Sequence, residues 1–237
     1  MTELLYLTDS YVREFPATVV ERTDEGVVLD RSAFYPQGGG QPSDTGILLD
    51  DEGRQYVVGR VQRVKGKVLH KMEEDAPEAG DSVKGVVDWD RRHKLMRTHT
   101  ALHILCGVIW RDYGASVTGG NMDLLKARMD FELESMSAAF SDQVEVKINA
   151  EVAAARPVRI DILPREEAFQ IPDLIRTKIN LLPESIQQVR VVEIEGLDLQ
   201  ADGGTHVANT REVGRIRVTG HESKGRINKR LRIEIED

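Results

Sequence analysis

Two histidines stand four residues apart where the sequence predicts a helix. His99 and His103 lie in the segment Arg97-Thr98-His99-Thr100-Ala101-Leu102-His103. Residues four apart share one face of a helix, so both imidazoles can reach one metal ion. Two half-buried helix histidines would show the same spacing, and the pair alone leaves both interpretations open. The helix of a metalloprotease needs Glu directly after the first histidine, and Thr100 at that position excludes this class of enzyme.

A third histidine follows a pair of glycines much later in the chain. His206 ends the segment Asp198-Leu199-Gln200-Ala201-Asp202-Gly203-Gly204-Thr205-His206, and the glycines allow the backbone to pack closely against a site. Together with the helix pair, His206 would give three imidazole ligands and one open position for water. That arrangement is typical of a catalytic zinc ion and differs from a closed structural site.

A glycine-rich segment near the N-terminus is the next unusual feature. It contains the residues Tyr35-Pro36-Gln37-Gly38-Gly39-Gly40-Gln41-Pro42. Three consecutive glycines lose much conformational entropy on folding. Their presence would be explained by a backbone that approaches a ligand closely or adopts positive φ. A hairpin connection between two strands is the alternative, and composition alone favours the hairpin.

The elements that must position these residues fall into two predicted domains, 1–88 and 89–237. In the first, short strands separated by turn residues predict a small β-barrel or sandwich that carries the glycine-rich segment. The expected strands are Leu4–Leu7, Thr18–Glu21, Gly26–Asp30, Gly46–Asp50, Gln55–Val64, Lys67–Lys71 and Ser82–Asp88.

The second predicted domain contains both helical and strand patterns, which indicates an α+β domain with helices packed on an antiparallel sheet. Its first helix is expected to have Asp90 as its N-cap, and apolar residues on most of its sides predict that it is buried. Ser137 is the expected N-cap of a second helix that ends near Ala155. The expected strands are Lys126–Glu132, Pro157–Leu163, Val189–Glu195, Val213–Thr219 and Arg230–Glu236.

The composition fits a globular protein without a membrane role. Hydrophobic residues make up 40% of the 237 residues, and there is no apolar run of about 18 residues or more. The acidic N-terminal segment differs from a secretory signal, and the single cysteine, Cys106, cannot form an internal disulfide. We therefore expect a cytoplasmic protein.

The charge is negative overall but unevenly distributed. A net charge of −8 argues weakly against a nucleic-acid partner, because phosphate binding depends on Lys and Arg. Residues 54–71 nevertheless carry several basic residues and no acidic one, and a second basic cluster lies near the C-terminus. Each cluster is compatible with an RNA-binding face, and solvated surface charge is the alternative explanation.

Together these motifs resemble the editing half of alanyl-tRNA synthetase. The resemblance includes the glycine-rich segment, the two-histidine helix, Gly203-Gly204-Thr205-His206-Val207 and Lys224-Gly225. It is closest to the stand-alone AlaX proteins of middle length (AlaX-M), and it covers nearly the whole chain. No aminoacylation motif is visible, so the resemblance implies editing in trans.

The resemblance implies hydrolysis of the ester that joins serine or glycine to mischarged alanine tRNA. It also implies a small N-terminal barrel, an editing domain of the type shared with threonyl-tRNA synthetase, and one zinc ion per chain. The zinc would be held by His99, His103 and His206. The basic clusters would then bind the tRNA, and the candidate tRNA-binding residues are Arg63, Lys65, Lys67, Lys224, Arg226, Lys229 and Arg230.

The chain departs from the family pattern at Asp202, where the family often has cysteine. A carboxylate can ligate zinc, so Asp202 is either a fourth ligand or a group that hydrogen-bonds His206 without touching the metal. We favour the second role, because three histidines complete a catalytic site and a fourth ligand would compete with water. Cys106, three residues after His103, is a rival ligand, although a buried small side chain is the preferred interpretation.

Discrimination against alanine requires groups that recognise the extra hydroxyl of serine. The candidate substrate-recognition residues are Gly38, Gly39, Gly40, Gln41, Thr98, Thr100, Thr118, Asn121, Gly203, Gly204 and Thr205. Several of them are equally explained as caps or turn residues.

Two other functions stay open. A non-catalytic tRNA-binding module would not need three histidines, and a zinc hydrolase of a small ester would not need the basic clusters.

Overall fold

The N-terminal unit, Met1–Lys94, is built on a closed barrel of antiparallel strands. The computed structural model describes residues 2–177 and 182–237 of the chain. Within them the barrel has the order β2-β3-β7-β6-β5-β8, and β1 pairs in parallel with β4. The elements that begin in this unit are β1 (Glu3–Leu4), β2 (Glu14–Thr23), β3 (Gly26–Leu29), β4 (Arg31–Ser32), β5 (Gly46–Asp50), β6 (Gln55–Val64), β7 (Lys67–Met72), β8 (Ser82–Val87) and helix α1 (Trp89–Tyr113).

Alternating side chains explain why these strands close around one core. In β2, Phe15, Ala17 and Val19 are buried while the residues between them are exposed, which is the two-residue period of a strand. In β6, Val58 and Val61 are fully buried on either side of a register shift. The small N-terminal barrel expected from the sequence is therefore confirmed.

One expected strand of this unit is wrong. The sequence predicts a strand at Leu4–Leu7, but β1 ends at Leu4 and a 3-10 helix follows at Leu5–Leu7. Tyr6 in this turn is buried, and its ring meets the ring of Tyr35 edge-on at a centroid distance of 5.2 Å. The tight turn is what directs the Tyr6 ring into the core, and this contact is remote in sequence.

A buried ion pair fixes the base of the glycine-rich segment. Arg92 in the first turn of α1 is fully buried and pairs with the buried carboxylate of Asp44. Its guanidinium also donates to the carbonyls of Ser10 and Ala33, at 2.9 and 2.5 Å. Asp44 in turn accepts a hydrogen bond from the amide of Tyr35 at 2.6 Å. Every member of this network therefore has partners, as buried charges require.

A second buried polar group lies in the barrel core. His70 is fully buried, with Nε2 at 2.7 Å from Ser32 Oγ and Nδ1 at 3.3 Å from the carbonyl oxygen of Val27. A carbonyl can only accept, so Nδ1 carries the proton and the Ser32 hydroxyl donates to Nε2. The neutral ring thus satisfies both nitrogens, and burial lowers the pKa of His70 to about 4.

The second unit, Leu95–Asp237, contains two antiparallel sheets in the part of the chain that is described. One has the order β14-β15-β10-β9, and the other has the order β11-β12-β13. The elements after α1 are β9 (Val117–Asp123), β10 (Lys126–Glu132), α2 (Ala138–Ala153), β11 (Val158–Pro164), α3 (Arg165–Ala168), β12 (Gln188–Ile194), β13 (Asp198–Ala201), a 3-10 helix (Thr210–Val213), β14 (Ile216–Ser223) and β15 (Asn228–Ile235). This is the expected α+β architecture.

Helix α2 packs on the larger sheet of this unit. Ser137 caps its N-terminus as expected, because its Oγ accepts a hydrogen bond from the Phe140 amide. Asn149 then bonds to both the carbonyl and the amide of Ile216, at 2.7 and 3.0 Å. These two bonds fix the helix against strand β14, so the prediction of helices laid on a sheet is confirmed.

Several boundaries differ from the expected ones. Helix α1 begins at Trp89 and is capped by Asp88, which accepts from the Arg91 amide, so the expected cap at Asp90 is wrong. The strand expected at Val213–Thr219 begins only at β14, because a 3-10 helix occupies the residues before it. The sequence does not predict β9 or β13, since paired glycines interrupt the first pattern and the second strand is very short. The division between the two units falls within α1, after Lys94, and the expected domain boundary lies after residue 88.

We expect His70 to make the free energy of unfolding depend on pH. In the unfolded chain its pKa is about 6.5, so between pH 6.5 and 4 the unfolded state binds a proton that the folded state excludes. The stabilisation by neutral His70 is complete above pH 6.5 and falls by about 3 kcal/mol as the pH approaches 4. Urea unfolding of the unmodified protein and of His70→Gln across this range is the measurement. A loss in the unmodified protein no larger than in the variant would contradict the expectation.

Candidate metal centre

Helix α1 holds two of the three predicted histidine ligands inside the second unit. Leu95, Ile104 and Leu105 are fully buried on different sides of the helix, so protein encloses it. His99 and His103 are only 7% and 6% exposed, and their ring centroids are 5.3 Å apart. The one-turn spacing places both rings on the same helix face.

The loop after β13 contributes the other two groups, Asp202 and His206. Asp202 Oδ1 accepts a hydrogen bond from the Gly204 amide at 2.7 Å, which makes a tight turn. The loop then returns to α1, where the Val207 amide donates to Thr100 Oγ1 at 3.2 Å. His206 Nδ1 lies 3.2 Å from the same oxygen. Thr100 therefore orients the His206 ring from a position between the two helix histidines.

The four side chains surround one point. His99, His103, Asp202 and His206 each offer a ligand atom, and these atoms all lie within 4.8 Å of one another. The Asp202 carboxylate lies 3.0 Å from His206 Nε2, 3.5 Å from His99 Nε2 and 4.0 Å from His103 Nε2. Donors on one tetrahedral ion at the usual zinc distances are about 3.4 Å apart. The Asp202 distances bracket this value, and the clustered donors form a set that one metal ion could bind through three nitrogens and one oxygen.

Burial sets the protonation of these groups. It lowers the pKa of His99 to about 4, and it also holds the pKa of His206 well below the usual value. Burial alone would raise the pKa of Asp202, but the nearby His99 and His206 rings keep it well below its ordinary range. Neutral imidazoles and an ionised carboxylate are the forms that bind metal ions.

His103 has a second carboxylate on its other side. Its Nδ1 lies 2.9 Å from Asp198 Oδ2, and the Asp198 side chain is fully buried. Burial lowers the pKa of His103, but the hydrogen bond to Asp198 and the negative charges of Asp198 and Asp202 together outweigh burial, and the pKa is raised overall. Arg176 Nε lies 3.6 Å from Asp198 Oδ1, and Arg190 Nη1 lies 3.9 Å from Asp202 Oδ1. The buried carboxylate of Asp198 and the partly exposed carboxylate of Asp202 are thus each paired with one arginine.

Sequence reasoning missed Asp198 and both arginines. No spacing rule links Asp198 to His103, because the two are far apart in the chain. Arg190 carries a usable signal, since a charged residue within the apolar run of β12 requires a buried partner. Arg176 lies outside every predicted element and gives no such signal.

Three candidate substrate-recognition residues of this unit make hydrogen bonds outside the cluster. The pairs are Thr98 Oγ1 with the Leu125 amide, Asn121 Oδ1 with the Met122 amide, and Thr118 Oγ1 with Asn228 Oδ1. In the loop between Asp202 and His206, Gly203 is exposed while Gly204 and Thr205 are buried. The candidate hydroxyl of Thr100, by contrast, contacts the His206 ring of the cluster.

Cys106 is not a member of the cluster. It is 2% exposed, and burial raises the pKa of its thiol well above the ordinary value. A neutral buried thiol is a poor metal ligand, because the thiolate is the form that binds. The structure therefore agrees with the preferred interpretation of Cys106 as a small buried side chain.

The glycine-rich segment of the first unit forms a hairpin turn. Gly38 and Gln41 exchange two backbone hydrogen bonds, at 3.2 and 2.9 Å. Gly39 and Gly40 between them have φ values of 56° and 85°, and two positive values in succession are typical of a type I′ turn. Residues 37–40 are exposed, whereas Gln41 is buried. The hairpin accounts for the glycines, and its exposed backbone can still meet a ligand.

Several candidate tRNA-binding residues already have acidic partners. The ion pairs are Lys67–Glu21, Lys224–Glu222 and Arg230–Asp130. Lys229 is buried and donates to the carbonyls of Gly225 and Arg226. Arg63, Lys65 and Arg226 are exposed. Among the residues that the structure describes, these three have no ion pair with an acidic side chain, so they can meet a phosphate without breaking one.

Two protein-family models match the chain, one within each unit. Residues 4–91 match the family model of tRNA synthetases class II (A). Residues 189–232 match the model of the second additional domain of threonyl and alanyl tRNA synthetases. Within residues 2–177 and 182–237, no helix has the length and apolar character needed to cross a membrane.

Several relatives match along the entire chain. The alanyl-tRNA editing protein AlaX-M of Methanosarcina barkeri is 40% identical over 243 residues, and the match covers 100% of both chains. The AlaX-M protein of Saccharolobus solfataricus is 40% identical over 233 residues, covering 98% of each. The alanine-tRNA ligase of Pyrococcus furiosus is 38% identical over 221 residues, which are 92% of this chain but 24% of the ligase. The chain therefore belongs to the AlaX-M family of alanyl-tRNA editing proteins.

Proposed function

We propose that this chain hydrolyses, in trans, the ester bond of alanine tRNA charged with serine or glycine. The observation that carries the proposal is the buried cluster of His99, His103, Asp202 and His206. Full-length similarity to proteins named as alanyl-tRNA editing proteins supports the tRNA substrate. The buried and unbridged Cys106 is compatible with a cytoplasmic location.

We propose one zinc ion per chain, with Asp202 as the fourth donor beside the three histidines. Zinc prefers imidazole and carboxylate ligands in a tetrahedral arrangement, and this cluster offers both. Asp202 faces the Nε2 atoms of the rings, whereas a carboxylate that only orients a ring contacts Nδ1, as Asp198 does at His103. This position favours direct coordination over the orienting role that we prefer from sequence alone. Zinc can add a fifth ligand during a reaction, so four protein ligands leave room for substrate.

The residues around the cluster have separate roles in the proposed reaction. When bound, zinc would supply Lewis acidity toward the ester and lower the pKa of water to about 7. Thr100 holds the His206 ring through Nδ1, so that Nε2 faces the other donors. The Asp202 side chain is 23% exposed, against 9% or less for the three rings. The ester would therefore approach from the Asp202 side. There, water would add to the carbonyl carbon, a water proton would pass to the leaving tRNA oxygen, and the ester bond to that oxygen would break, which releases the amino acid and the free tRNA hydroxyl.

We also propose which residues recognise the amino acid and which contact the tRNA. Thr100 is fully buried and bonded to His206 and the Val207 amide, so it is proposed to shape the substrate site through the His206 ring that it orients. The exposed backbone of Gly38, Gly39 and Gly40 and the exposed Arg63, Lys65 and Arg226 are proposed to contact the tRNA. A site that hydrogen-bonds the serine hydroxyl would leave polar groups unpaired against alanine, which is the physical basis for sparing correctly charged tRNA.

A deacylation assay tests the proposed reaction. Alanine tRNA charged with serine, glycine or alanine is incubated with the protein, and the released amino acid is measured. We expect hydrolysis of the seryl or glycyl ester with the alanyl ester spared, and a loss of about 100-fold or more in His103→Ala, which lacks a ligand. His221→Ala removes an exposed histidine on β14 and should keep full activity. Equal hydrolysis of all three esters, or full activity of His103→Ala, would show that the proposal is wrong.

The role of Asp202 is tested by zinc affinity, measured through competition with a chelator. If Asp202 coordinates the ion, Asp202→Asn should bind zinc about 100-fold or more weakly, because an amide is a poor zinc ligand. Asp202→Cys should stay within about tenfold of the unmodified protein, since a thiolate replaces the carboxylate. The opposite result is a zinc affinity that stays nearly unchanged in Asp202→Asn and falls only in Asp202→Cys. It would show that Asp202 orients His206 and does not bind the ion.

A further inference from the structure

His103 lies between two carboxylates, and only one of them belongs to the ligand cluster. On its Nε2 side, Asp202 Oδ2 is 4.0 Å away. On its Nδ1 side, Asp198 Oδ2 is 2.9 Å away and is fully buried. An ionised carboxylate can only accept a hydrogen bond, so the ring donates from Nδ1 to Asp198. The Nε2 lone pair of His103 is then directed toward the other donors.

Gly107 explains how Asp198 comes so close to helix α1. A Cβ atom at position 107 would lie 2.9 Å from Leu197 Cγ, 3.0 Å from the Leu197 carbonyl oxygen and 3.1 Å from Asp198 Cβ. The Leu197 carbonyl oxygen belongs to the backbone, to which Asp198 Cβ is directly attached, so neither can move away as the end of a flexible side chain can, and a larger residue would push the β12–β13 turn outward. Gly107 is one helical turn after His103 and shares its face. Glycine weakens a helix interior, which makes a packing reason necessary.

Two further groups hold the Asp198 carboxylate in place. Gln200 Nε2 donates to Oδ2 at 2.7 Å, beside the bond from His103. Arg176 Nε lies 3.6 Å from Oδ1, and its guanidinium lies over the Trp110 ring at 4.5 Å. Among the residues that the structure describes, Oδ1 has no hydrogen-bond partner, so the charge of Arg176 balances it across this gap.

We propose that Asp198, seated against α1 by Gly107, is a positioning residue of the metal centre. It fixes the His103 ring with the proton on Nδ1, so that the ring is already oriented when the metal binds. A carboxylate on the far nitrogen also makes an imidazole a stronger ligand. The inference rests on the proposed metal site and adds two residues, Asp198 and Gly107, that contribute no ligand atom.

Zinc affinity, measured by chelator competition, is the first test. Asp198→Leu removes the acceptor and should weaken zinc binding by about 10- to 100-fold. Asp198→Asn keeps an acceptor oxygen and should retain more affinity than the leucine variant. Gly107→Ala should weaken zinc binding in the same direction, although alanine is the better helix former. Asp112→Asn, which removes an exposed α1 carboxylate paired with Arg111 and Lys147, is the matched control and should not change affinity.

The protonated nitrogen of His103 is the second test, because a merely structural defect would not change it selectively. In zinc-loaded protein with ¹⁵N-labelled histidine, we expect an exchange-protected Nδ1 proton on His103. Asp198→Leu should lose this protection while the His99 and His206 signals stay in place. If the leucine variant does not fold, Gly107→Ala is compared in the same way.

The outcomes separate this inference from the proposed function. If the unmodified protein does not bind zinc, the metal site itself is wrong and this inference fails with it. If it binds zinc and Asp198→Leu and Gly107→Ala bind equally well, only the positioning role is overturned. A loss of affinity confined to these variants, together with the lost Nδ1 protection, would support it.

Discussion

The second unit depends on burying three imidazoles and two carboxylates together. Such groups are stable inside a protein only when each polar atom is hydrogen-bonded or paired with an opposite charge, since an unpaired buried polar group costs several kcal/mol. Asp198 holds His103, Thr100 contacts His206, and one arginine lies beside each carboxylate. The enclosed helix α1 and the short loop from Asp202 to His206 bring these groups to one place.

Local pattern was sufficient to predict much of the fold and the main histidines. In β2, buried and exposed residues alternate, and in α1 buried residues occur on most sides of the helix. Both patterns repeat along a single element, so they can be recognised in the sequence. Capping chemistry located Ser137 because the N-cap bond is made within one turn. His99 and His103 were recognisable for the same reason, since one helical turn fixes their relative position. His206 was proposed as the third ligand from the glycine pair before it, and the family resemblance supported its pairing with the helix, because nothing local ties the two segments together.

What the sequence could not predict depends on contacts between distant segments. The 3-10 turn at Leu5–Leu7 follows from packing of Tyr6 on Tyr35, and Asp198 reaches His103 only because Gly107 lets two elements approach. The role of Asp202 depends on which nitrogen of each ring it faces, and no spacing rule contains that information. The basic clusters illustrate the same point, because Lys67 and Arg230 form ion pairs with acidic residues on other strands.

The central claim is that three imidazoles and the Asp202 carboxylate form one metal site. X-ray absorption at the zinc K-edge of the zinc-loaded protein tests it most directly, since the spectrum reports ligand type, number and distance. We expect a shell of about four nitrogen and oxygen atoms at about 2.0–2.1 Å, with outer-shell scattering from three imidazole rings. A sulfur atom at about 2.3 Å, or the absence of imidazole scattering, would contradict the assigned ligands.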